Sequence, residues 1–349
     1  MLQLKNLDYN EIVPGHRTSA GLLGILLPLA AIITAACIGR YPLPAPDIAR
    51  YLLAPASTIA TEPAARVFWF VRAPRVVIVA MTGAALALSG AAFQGLFRSP
   101  LVSPDILGAS SGASLGAGIA IVLLDGEAAV IQLLAFIGGL AAVWLATTLA
   151  RLARRDATVT LVLAGLVVNA VTAAFVSLLK YLADPYDQLP ALEYWLMGSF
   201  HLADWKHVIE FLPALVLGAG TILALRWRVN ILSFGTEEAK AMGVNVRLVR
   251  TLLIAGATVL VAASTSVAGV VSWIGLAAPH VVRMAVGPDH RIVLPLSLSV
   301  GAVLLLAADT VARSLASSEI PISVVTAFIG APLLAYLMWR SSGDQWGHE

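Results

Sequence analysis

Two oppositely charged side chains lie one helical turn apart in an otherwise apolar stretch near the C-terminal end of the sequence. Asp309 and Arg313 occupy positions i and i+4, so a helix would place them on the same face. A carboxylate held alone inside a membrane is typical of an ion-coupled transporter, whereas an adjacent arginine neutralises it. We interpret the two residues as a structural ion pair, with direct proton coupling as the alternative.

Two histidines close to this stretch could serve other chemistry. His280 and His290 flank Arg283 and Asp289, which is compatible with a metal site or a proton relay, although a hydrogen-bonded loop is the simpler interpretation. A nucleotide-binding P-loop needs a lysine directly after a glycine, and none of the four lysines follows one. An intramembrane enzyme would need a paired nucleophile and base. We assign no catalytic residue, no metal site and no cofactor to the chain.

The share of charged residues decides the class of protein. Of 349 residues, 12% are charged and 59% are hydrophobic, and the mean hydropathy is +0.88. Soluble domains carry about 25% charged residues, so a soluble fold and a disordered chain are both excluded. Lys and Arg number 22 against 20 Asp and Glu, which leaves no basic excess for nucleic acid. The single cysteine, Cys37, excludes an internal disulfide and a cysteine-based zinc site.

Long apolar segments indicate membrane-spanning helices, because a helix needs about 20 apolar residues to cross a bilayer. We expect an all-α polytopic membrane protein with one transmembrane domain over residues 1–349. Gly108, Gly112 and Gly116 share one helix face, which predicts close helix packing or, alternatively, the lining of a transport pathway. The ten predicted spans are Ala20–Ile38, Val76–Leu96, Leu107–Leu124, Ala128–Ala150, Thr158–Leu179, Val208–Leu225, Leu252–Ala268, Val270–Met284, Val293–Val311 and Val324–Met338.

The charges in the loops predict the orientation. With ten spans both ends of the chain lie on one side, and the side richer in Lys and Arg is the cytoplasmic one. One set of loops carries fourteen of these residues and the other carries eight. We therefore expect both termini to be cytoplasmic, with an N-terminal tail over residues 1–17. Five of the eight outer residues are arginines between the first two spans, a cluster that needs its own explanation.

The longest inner loop, residues 227–250, predicts a short helix on the cytoplasmic face. Thr236 followed by Glu237 and Glu238 is typical of a helix start, and Gly243 is typical of a helix end. One interpretation is an amphipathic helix stabilised by lipid headgroups. The other is a docking surface for a cytoplasmic protein that supplies the energy for transport.

Taken together, five stretches of this sequence resemble the permease subunits of the FecCD transport family, the ABC importers of ferric siderophores, haem and cobalamin. The resemblance extends from about Arg66 to Arg340. The stretches are R-A-P-R at Arg72–Arg75, the segment Gly83–Gly116 with its S-P-L-V-S-P-D-I-L-G-A-S-S-G core, L-V-L-A-G and W-L-M-G-S-F at Leu161–Gly165 and Trp195–Phe200, G-L-A-A-P-H-V-V-R to L-P at Gly275–Pro295, and A-D-T-V-A-R to I-G-A-P at Ala308–Pro332.

The resemblance implies a type II ABC importer permease fold in the inner (plasma) membrane, with lipid around it and no nucleic acid partner. It also implies a homodimer with the pathway on its axis, two ATPase subunits that bind ATP and Mg²⁺, and a periplasmic binding protein. A ferric siderophore is the expected cargo, with haem or cobalamin as alternatives. An ion-coupled secondary transporter is the alternative function.

The resemblance also implies roles for particular residues. Arg72, Arg75 and Arg313 would meet acidic residues of the binding protein, although the first two could instead reach lipid headgroups. The residues implied in ATPase coupling are Ser233, Gly235, Glu237, Glu238, Ala239, Met242 and Gly243. The gate and pathway residues are Ser99, Pro100, Leu101, Thr158, Val159, Asn169, Thr172 and Phe175. Ser99 departs from the N-P-L pattern that is commoner in the family, and the connection before Thr158 is about one residue short.

Overall fold

A computed structural model describes residues 14–53, 61–153 and 157–343, and all regular elements in these ranges are helical. The all-α class is thereby confirmed. Most of the predicted tail, residues 1–17, and the connection before Thr158 lie outside the described residues. The α-helices are α1 Pro14–Cys37, α2 Ala45–Leu53, α3 Pro63–Val67, α4 Ala73–Phe97, α5 Ala109–Leu123, α6 Ala128–Leu152, α7 Ala157–Leu182, α8 Gln188–Met197, α9 Trp205–Ala224, α10 Arg226–Leu232, α11 Thr236–Ala241, α12 Val246–Ala268, α13 Ile274–Val286, α14 His290–Ser314 and α15 Ile322–Gly343.

Six helical stretches in the described ranges are long and apolar enough to cross a membrane, so the chain is a multi-pass membrane protein. They are Pro63–Phe97, Ala128–Leu152, Val159–Leu182, Trp205–Ala224, Val246–Ala268 and His290–Ser314. Four shorter apolar helices are Gly24–Cys37, Ala109–Leu123, Ile274–Val286 and Ile322–Leu333. Each of the ten predicted segments overlaps one of these stretches. The count of ten spans and the cytoplasmic placement of both termini stay predictions.

The first of the six long stretches contains a wider turn. A π-helical segment, Phe68–Arg72, joins α3 to α4 without a break. Such a turn closes its hydrogen bonds five residues apart instead of four, and it therefore changes the angular relation between the residues on either side. Arg72 ends the π-helical segment and Arg75 lies in the first turn of α4.

Helix α4 forms the centre of the protein and packs against α12, α13 and α14. Its glycines allow very close approach: a Cβ at Gly90 would lie 1.7 Å from the carbonyl oxygen of Gly275, and one at Gly83 would lie 2.4 Å from that of Gly301. The helices α5 and α6 cross in the same way, because a Cβ at Gly116 would lie 2.0 Å from the carbonyl oxygen of Leu134. Of the predicted glycine face, Gly112 and Gly116 therefore serve helix packing, whereas Gly108 precedes α5 with a φ of 87° and does not belong to that helix face.

Two of the shorter helices begin deep within the protein. Between α4 and α5 the chain forms a 3-10 turn, Pro104–Leu107, whose Pro104 packs against Gly275 at the start of α13. Ile106 in the same turn packs against Gly165, in the third turn of α7. Irregular backbone at membrane depth is tolerated where protein surrounds it. The connection is therefore re-entrant, since it folds back among the helices.

The eighth predicted span differs from the structure at its start. The predicted spans Leu252–Ala268 and Val270–Met284 leave a single residue between them and so require a tight turn, but residues 269–273 are not helical and α13 begins only at Ile274. Trp273 just before it has a φ of 70°, in the left-handed region. Hydropathy could not detect this break because the connection is itself apolar. Backbone hydrogen bonds support it: Ser199 donates to the carbonyl of Ala268 at 2.9 Å.

Candidate functional site

A cluster of charged residues joins three helices at the end of the protein that we predict to be outer. Arg75 donates through Nη2 to Asp309 Oδ1 at 2.8 Å and through Nη1 to Glu319 Oε1 at 2.7 Å. Asp309 is only 1% exposed, and its Oδ2 also lies 3.2 Å from Arg313 Nε. The expected pair of Asp309 and Arg313 is present, but Arg75 is a second and closer cation. Two arginines beside one buried carboxylate favour the structural interpretation over proton coupling.

Arg72 and Arg313 hold the last turn of α1. Arg72 donates to the carbonyls of Ala36 at 2.8 Å and Tyr41 at 2.9 Å, and Arg313 donates to those of Ala35 and Ile38. The last carbonyls of a helix lack partners within the helix and carry partial negative charge. Two guanidinium groups satisfy them here, so both side chains are buried, at 7% and 6% exposure.

The three arginines predicted to dock a binding protein thus already form hydrogen bonds and ion pairs inside the subunit. Among them Arg75 has a side chain that is 13% exposed, and it shares its ion pair with Glu319, whose side chain is 27% exposed. Burial is the largest single effect and raises the pKa of Glu319, but the hydrogen bonds and charge of Arg75, together with the charges of His201 and Arg40, lower this pKa below its ordinary value of 4.5. The docking role of all three arginines stays a prediction.

A pocket lies beside this cluster, with a cavity volume of about 450 Å³. Its wall includes Tyr194 and His201, whose rings stack edge to face, and Ser199, which lies 2.8 Å from His201 Nδ1. Burial lowers the pKa of His201, and Arg75 lowers it further, whereas Glu319 opposes both effects. Sequence reasoning did not select His201, Tyr194 or Glu319, although Glu319 lies in the stretch that carries the family resemblance.

At the opposite end, α11 occupies Thr236–Ala241, which confirms the short helix predicted in the inner loop. Gly235 and Gly243 flank it with φ values of 142° and 77°, a region that favours glycine. Of the seven predicted coupling residues, Ala239 and Gly235 are buried, whereas the remaining five are exposed: Ser233, Glu237, Glu238, Met242 and Gly243.

The predicted gate residues lie at the same end as α11. Pro100 and Leu101 are exposed in the connection after α4, Ser99 is half-buried there, and Thr158 and Val159 form the first turn of α7. Buried polar contacts hold this connection: Gln94 donates to the carbonyl of Val102 at 3.2 Å and accepts from Arg283. In the described residues no hydrogen bond or ion pair joins Ser99–Leu101 to Val159, so the gate assignment stays a prediction.

The predicted pathway residues differ in exposure along α7. Thr172 is buried and donates to the carbonyl of Val168 at 2.8 Å, while Asn169 accepts a hydrogen bond from Ser111 at 2.6 Å. Phe175, about one turn after Thr172, is 51% exposed. Other exposed apolar side chains of α7 are Leu163, Leu166, Val167, Val171 and Leu178.

Comparison with known proteins decides the family. The model of the FecCD transport family matches residues 26–340. The chain belongs to this family. It is 40% identical over 322 residues to the molybdate import system permease protein MolB of Haemophilus influenzae, covering 91% of this chain and 94% of the relative. It is 39% identical over 287 residues to the hemin transport system permease protein HmuU of Yersinia pestis, covering 79% of this chain and 84% of that one.

A solved structure agrees with the fold of this FecCD permease. The structure of a metal-chelate type ABC transporter in an inward-facing conformation superposes with a TM-score of 0.82. The two chains are 36% identical, and the match covers 93% of this chain and 100% of the other. The relatives are named as transport permeases, which are not themselves enzymes, so this chain is an ABC importer permease.

One serine motif of the FecCD permease resembles an enzyme signature. The pattern G-x-S-x-G occurs twice within Gly108–Gly116, at Ser110 and Ser114. In hydrolases this serine lies on a turn between a strand and a helix, near a histidine base. Here Ser114 donates to the carbonyl of Ser110 at 2.8 Å, and Ser110 contacts Asp105 and Thr265 at the start of α5. The serines therefore stabilise a helix start.

Proposed function

We propose that this FecCD permease moves an iron chelate, with a ferric siderophore as cargo and haem or cobalamin as alternatives, across the inner membrane. Relatives are named for hemin and iron chelatin transport, and others for cobalamin and molybdate. An ATPase supplies the energy and a periplasmic binding protein delivers the cargo. The observation that carries this proposal is the family match over residues 26–340 together with the exposed α11 at one end of the subunit.

The ATPase docks on α11 in this proposal. Phe234 and Met242 flank the helix and are 67% and 61% exposed, an unusual state for large apolar side chains next to water, and Glu237 and Glu238 add acidic groups between them. Arg250, in the second turn of α12, donates to the hydroxyl of Thr236 at 3.0 Å. Movement of α11 would therefore reach the long helix α12 directly.

Two copies of the chain form the transporter in this proposal. The apolar face of α7 that includes Phe175 supports this arrangement, because its large side chains from Leu163 to Leu178 are exposed in one subunit. A second copy would cover the face with its own α7. The pathway then lies between the copies, with Phe175 at its wall and Asn169 and Thr172 behind it.

The binding protein docks at the opposite end through Arg75, Arg72 and Arg313. Of these, Arg75 is the residue that an incoming carboxylate can reach, because its partner Glu319 is partly exposed and can be displaced. Arg72 and Arg313 would contribute by charge and by holding α1 in place. Such complementarity mainly sets orientation and the association rate.

The test is uptake by cells that lack their own importers and produce this permease with its ATPase and binding protein. Uptake of a labelled ferric siderophore, haem, cobalamin and molybdate is compared under ATP depletion and at normal ATP levels. We expect ATP-dependent accumulation of the iron chelate. Uptake driven by the permease alone would refute the ATPase dependence, and accumulation of molybdate without iron would refute the cargo.

A pair of variants tests the coupling surface. Met242→Glu places a charge in the proposed ATPase contact, whereas Leu202→Glu makes the same change at the opposite end, where the side chain is 64% exposed. We expect Met242→Glu to reduce both uptake and co-purification of the ATPase at least tenfold, since a buried unpaired charge in an interface costs several kcal/mol. Equal co-purification of the ATPase with the two variants would contradict the coupling role of α11.

A further inference from the structure

A long groove runs along one side of the protein between α6 and α12, with a cavity volume of about 830 Å³. The end of α4 and the start of α7 close it on the inside. Its wall is apolar over most of its length and includes Phe97, Val143, Ile254 and Val259. Trp144 lines the groove and is 68% exposed, so the groove opens toward the surroundings of the subunit rather than toward its core.

The length of the groove corresponds to one leaflet of a bilayer. Along α12 it extends from Arg247 to Val259, which spans about 18 Å at 1.5 Å per residue. Along α6 it extends from Leu140 to Arg151, about 16 Å by the same rise. Half of the hydrocarbon core of a bilayer is about 15 Å thick. An acyl chain can therefore lie in the groove along its whole length.

The groove ends in a group of basic side chains at the end that carries α11. Arg151, Lys240, Arg247 and Arg250 line this end, and no carboxylate does so among the described residues. Lys240 pairs with Glu237 at 2.8 Å, and Arg250 donates to Thr236. Arg151 and Arg247 are exposed, and no carboxylate of the described residues lies within ion-pair distance of either.

We propose that this groove binds one anionic phospholipid, with its phosphate between Arg151 and Arg247 and one acyl chain along α6 and α12. Basic pockets between transmembrane helices are suited to anionic headgroups, and each Lys or Arg near the surface adds to the attraction. The apolar wall selects a lipid over free phosphate, because phosphate alone leaves the wall exposed. If a second copy of the chain occupied the groove instead, it would have to place a carboxylate between Arg151 and Arg247.

The lipid would also touch the proposed coupling element, since Thr236 and Lys240 of α11 line the basic end. A bound headgroup would hold α11 against α12 and thereby restrict the element that the ATPase moves. This consequence rests on the proposed function. The binding itself does not, because it is measured on the purified permease without ATPase or cargo.

The test is native mass spectrometry of the purified full chain in detergent, titrated with phosphatidylglycerol or phosphatidylcholine. We expect one phosphatidylglycerol to bind at least tenfold more tightly than phosphatidylcholine. Millimolar inorganic phosphate should not displace it. Equal affinity for the two lipids, or displacement by phosphate, would overturn the proposal, and neither result depends on a variant.

Matched variants locate the site. Arg151→Gln with Arg247→Gln removes two charges from the groove, whereas Arg226→Gln with Arg228→Gln removes two exposed charges from α10, outside it. We expect the first pair to weaken phosphatidylglycerol binding about 30-fold, which is the loss of about 1 kcal/mol per arginine, and the second to weaken it less than threefold. An equal loss in both would indicate unspecific attraction to a basic surface.

A third variant tests the acyl part of the site while every charge is kept. Ala255 is exposed on the groove wall, and Ala255→Trp would fill the space beside it. We expect this variant to bind phosphatidylglycerol at least tenfold more weakly, with an unchanged elution volume in size-exclusion chromatography. Full binding by this variant would show that no chain lies in the groove.

Discussion

The Arg75 cluster and the end of the protein that carries α11 differ in the burial of their basic side chains. In the cluster, Arg72 and Arg313 are buried and the side chain of Arg75 is 13% exposed, and they bind groups remote in sequence: Arg75 and Asp309 are 234 residues apart. At the end with α11, Arg98, Arg151 and Arg247 are exposed, and Lys240 pairs with Glu237, three residues away. Buried charges need partners in the same chain. Exposed ones remain available for a second molecule.

This difference predicts that the buried charges stabilise the fold and that the exposed charges serve binding. Removing a buried charge should weaken the fold, because its partners are left unpaired in a low-dielectric environment. Removing an exposed charge should leave the fold intact and change only binding. The following substitutions test that contrast, each with a counterpart at the other end or at the protein surface.

The largest effect is expected for Asp309→Ala. It leaves Arg75 and Arg313 without their common carboxylate, and breaking a buried pair in this way costs about 3–5 kcal/mol. Glu237→Ala removes an exposed pair on α11 and should cost less than about 1 kcal/mol. The measurement is thermal unfolding in detergent. Similar melting temperatures for the two variants would show that the Arg75 cluster does not stabilise the fold.

A smaller loss is expected for Arg72→Met, which keeps the length of the apolar stem but leaves the carbonyls of Ala36 and Tyr41 without their donor. An unsatisfied buried polar group costs about 1–3 kcal/mol. The single cysteine, Cys37, ends α1 beside these carbonyls and reports on this turn. We expect its rate of reaction with a maleimide to rise severalfold.

The control for this measurement is Arg50→Met. Arg50 is an arginine whose side chain is 55% exposed and pairs with Glu62. Because surface pairs contribute little, its loss should leave Cys37 labelling unchanged. A rise in labelling for both variants would mean that the end of α1 responds to any loss of charge nearby.

The pH-dependent contribution of Glu319 to the stability of the fold should be smaller than the effect of Arg72→Met. Its pKa is lowered in the folded protein, so its pair with Arg75 stabilises the fold fully above the ordinary pKa of 4.5 and loses this effect as the pH falls through the lowered pKa. We expect wild type to melt above Glu319→Gln at pH 7 and the difference to narrow below pH 4.5. A difference that grows in acid would contradict this ion pair.

The smallest effect is expected for Arg98→Gly at the end with α11. Arg98 ends α4 with a φ of 52°, where glycine is favoured. The exposed charge is not needed for folding, so the substitution should stabilise the protein by up to about 1 kcal/mol, while Arg98→Gln should change nothing. Thermal unfolding measures both. Destabilisation by each would show that the charge has a partner.

Local sequence patterns predicted part of this molecule well. The apolar segments, the start of α11 at Thr236 and the pairing of Asp309 with Arg313 all follow from spacings of a few residues. Helical periodicity and hydropathy are properties of a short window, so the sequence contains enough information to predict them.

The remaining features depend on contacts between distant parts of the chain. Nothing near Arg75 in the sequence points to Asp309 or Glu319, and nothing near Arg72 points to the end of α1. The start of α13 was missed for a different reason. The break before it, residues 269–273, is mostly apolar, so a hydropathy window cannot distinguish it from helix.

The π-helical segment Phe68–Arg72 has a consequence for how this stretch can change in evolution. It lies just before the point where the partners of Arg72 and Arg75 diverge, the first toward α1 and the second toward Asp309. A π-helical turn takes up one residue more than an α-helical turn over nearly the same rotation, so loss of one residue there would restore an ordinary helix and leave the residues on either side facing almost the same way. A deletion of one codon within Phe68–Arg72 should therefore keep the partners of Arg75, whereas the same deletion inside α4 would rotate everything before it by about 100° and exchange partners at several positions at once.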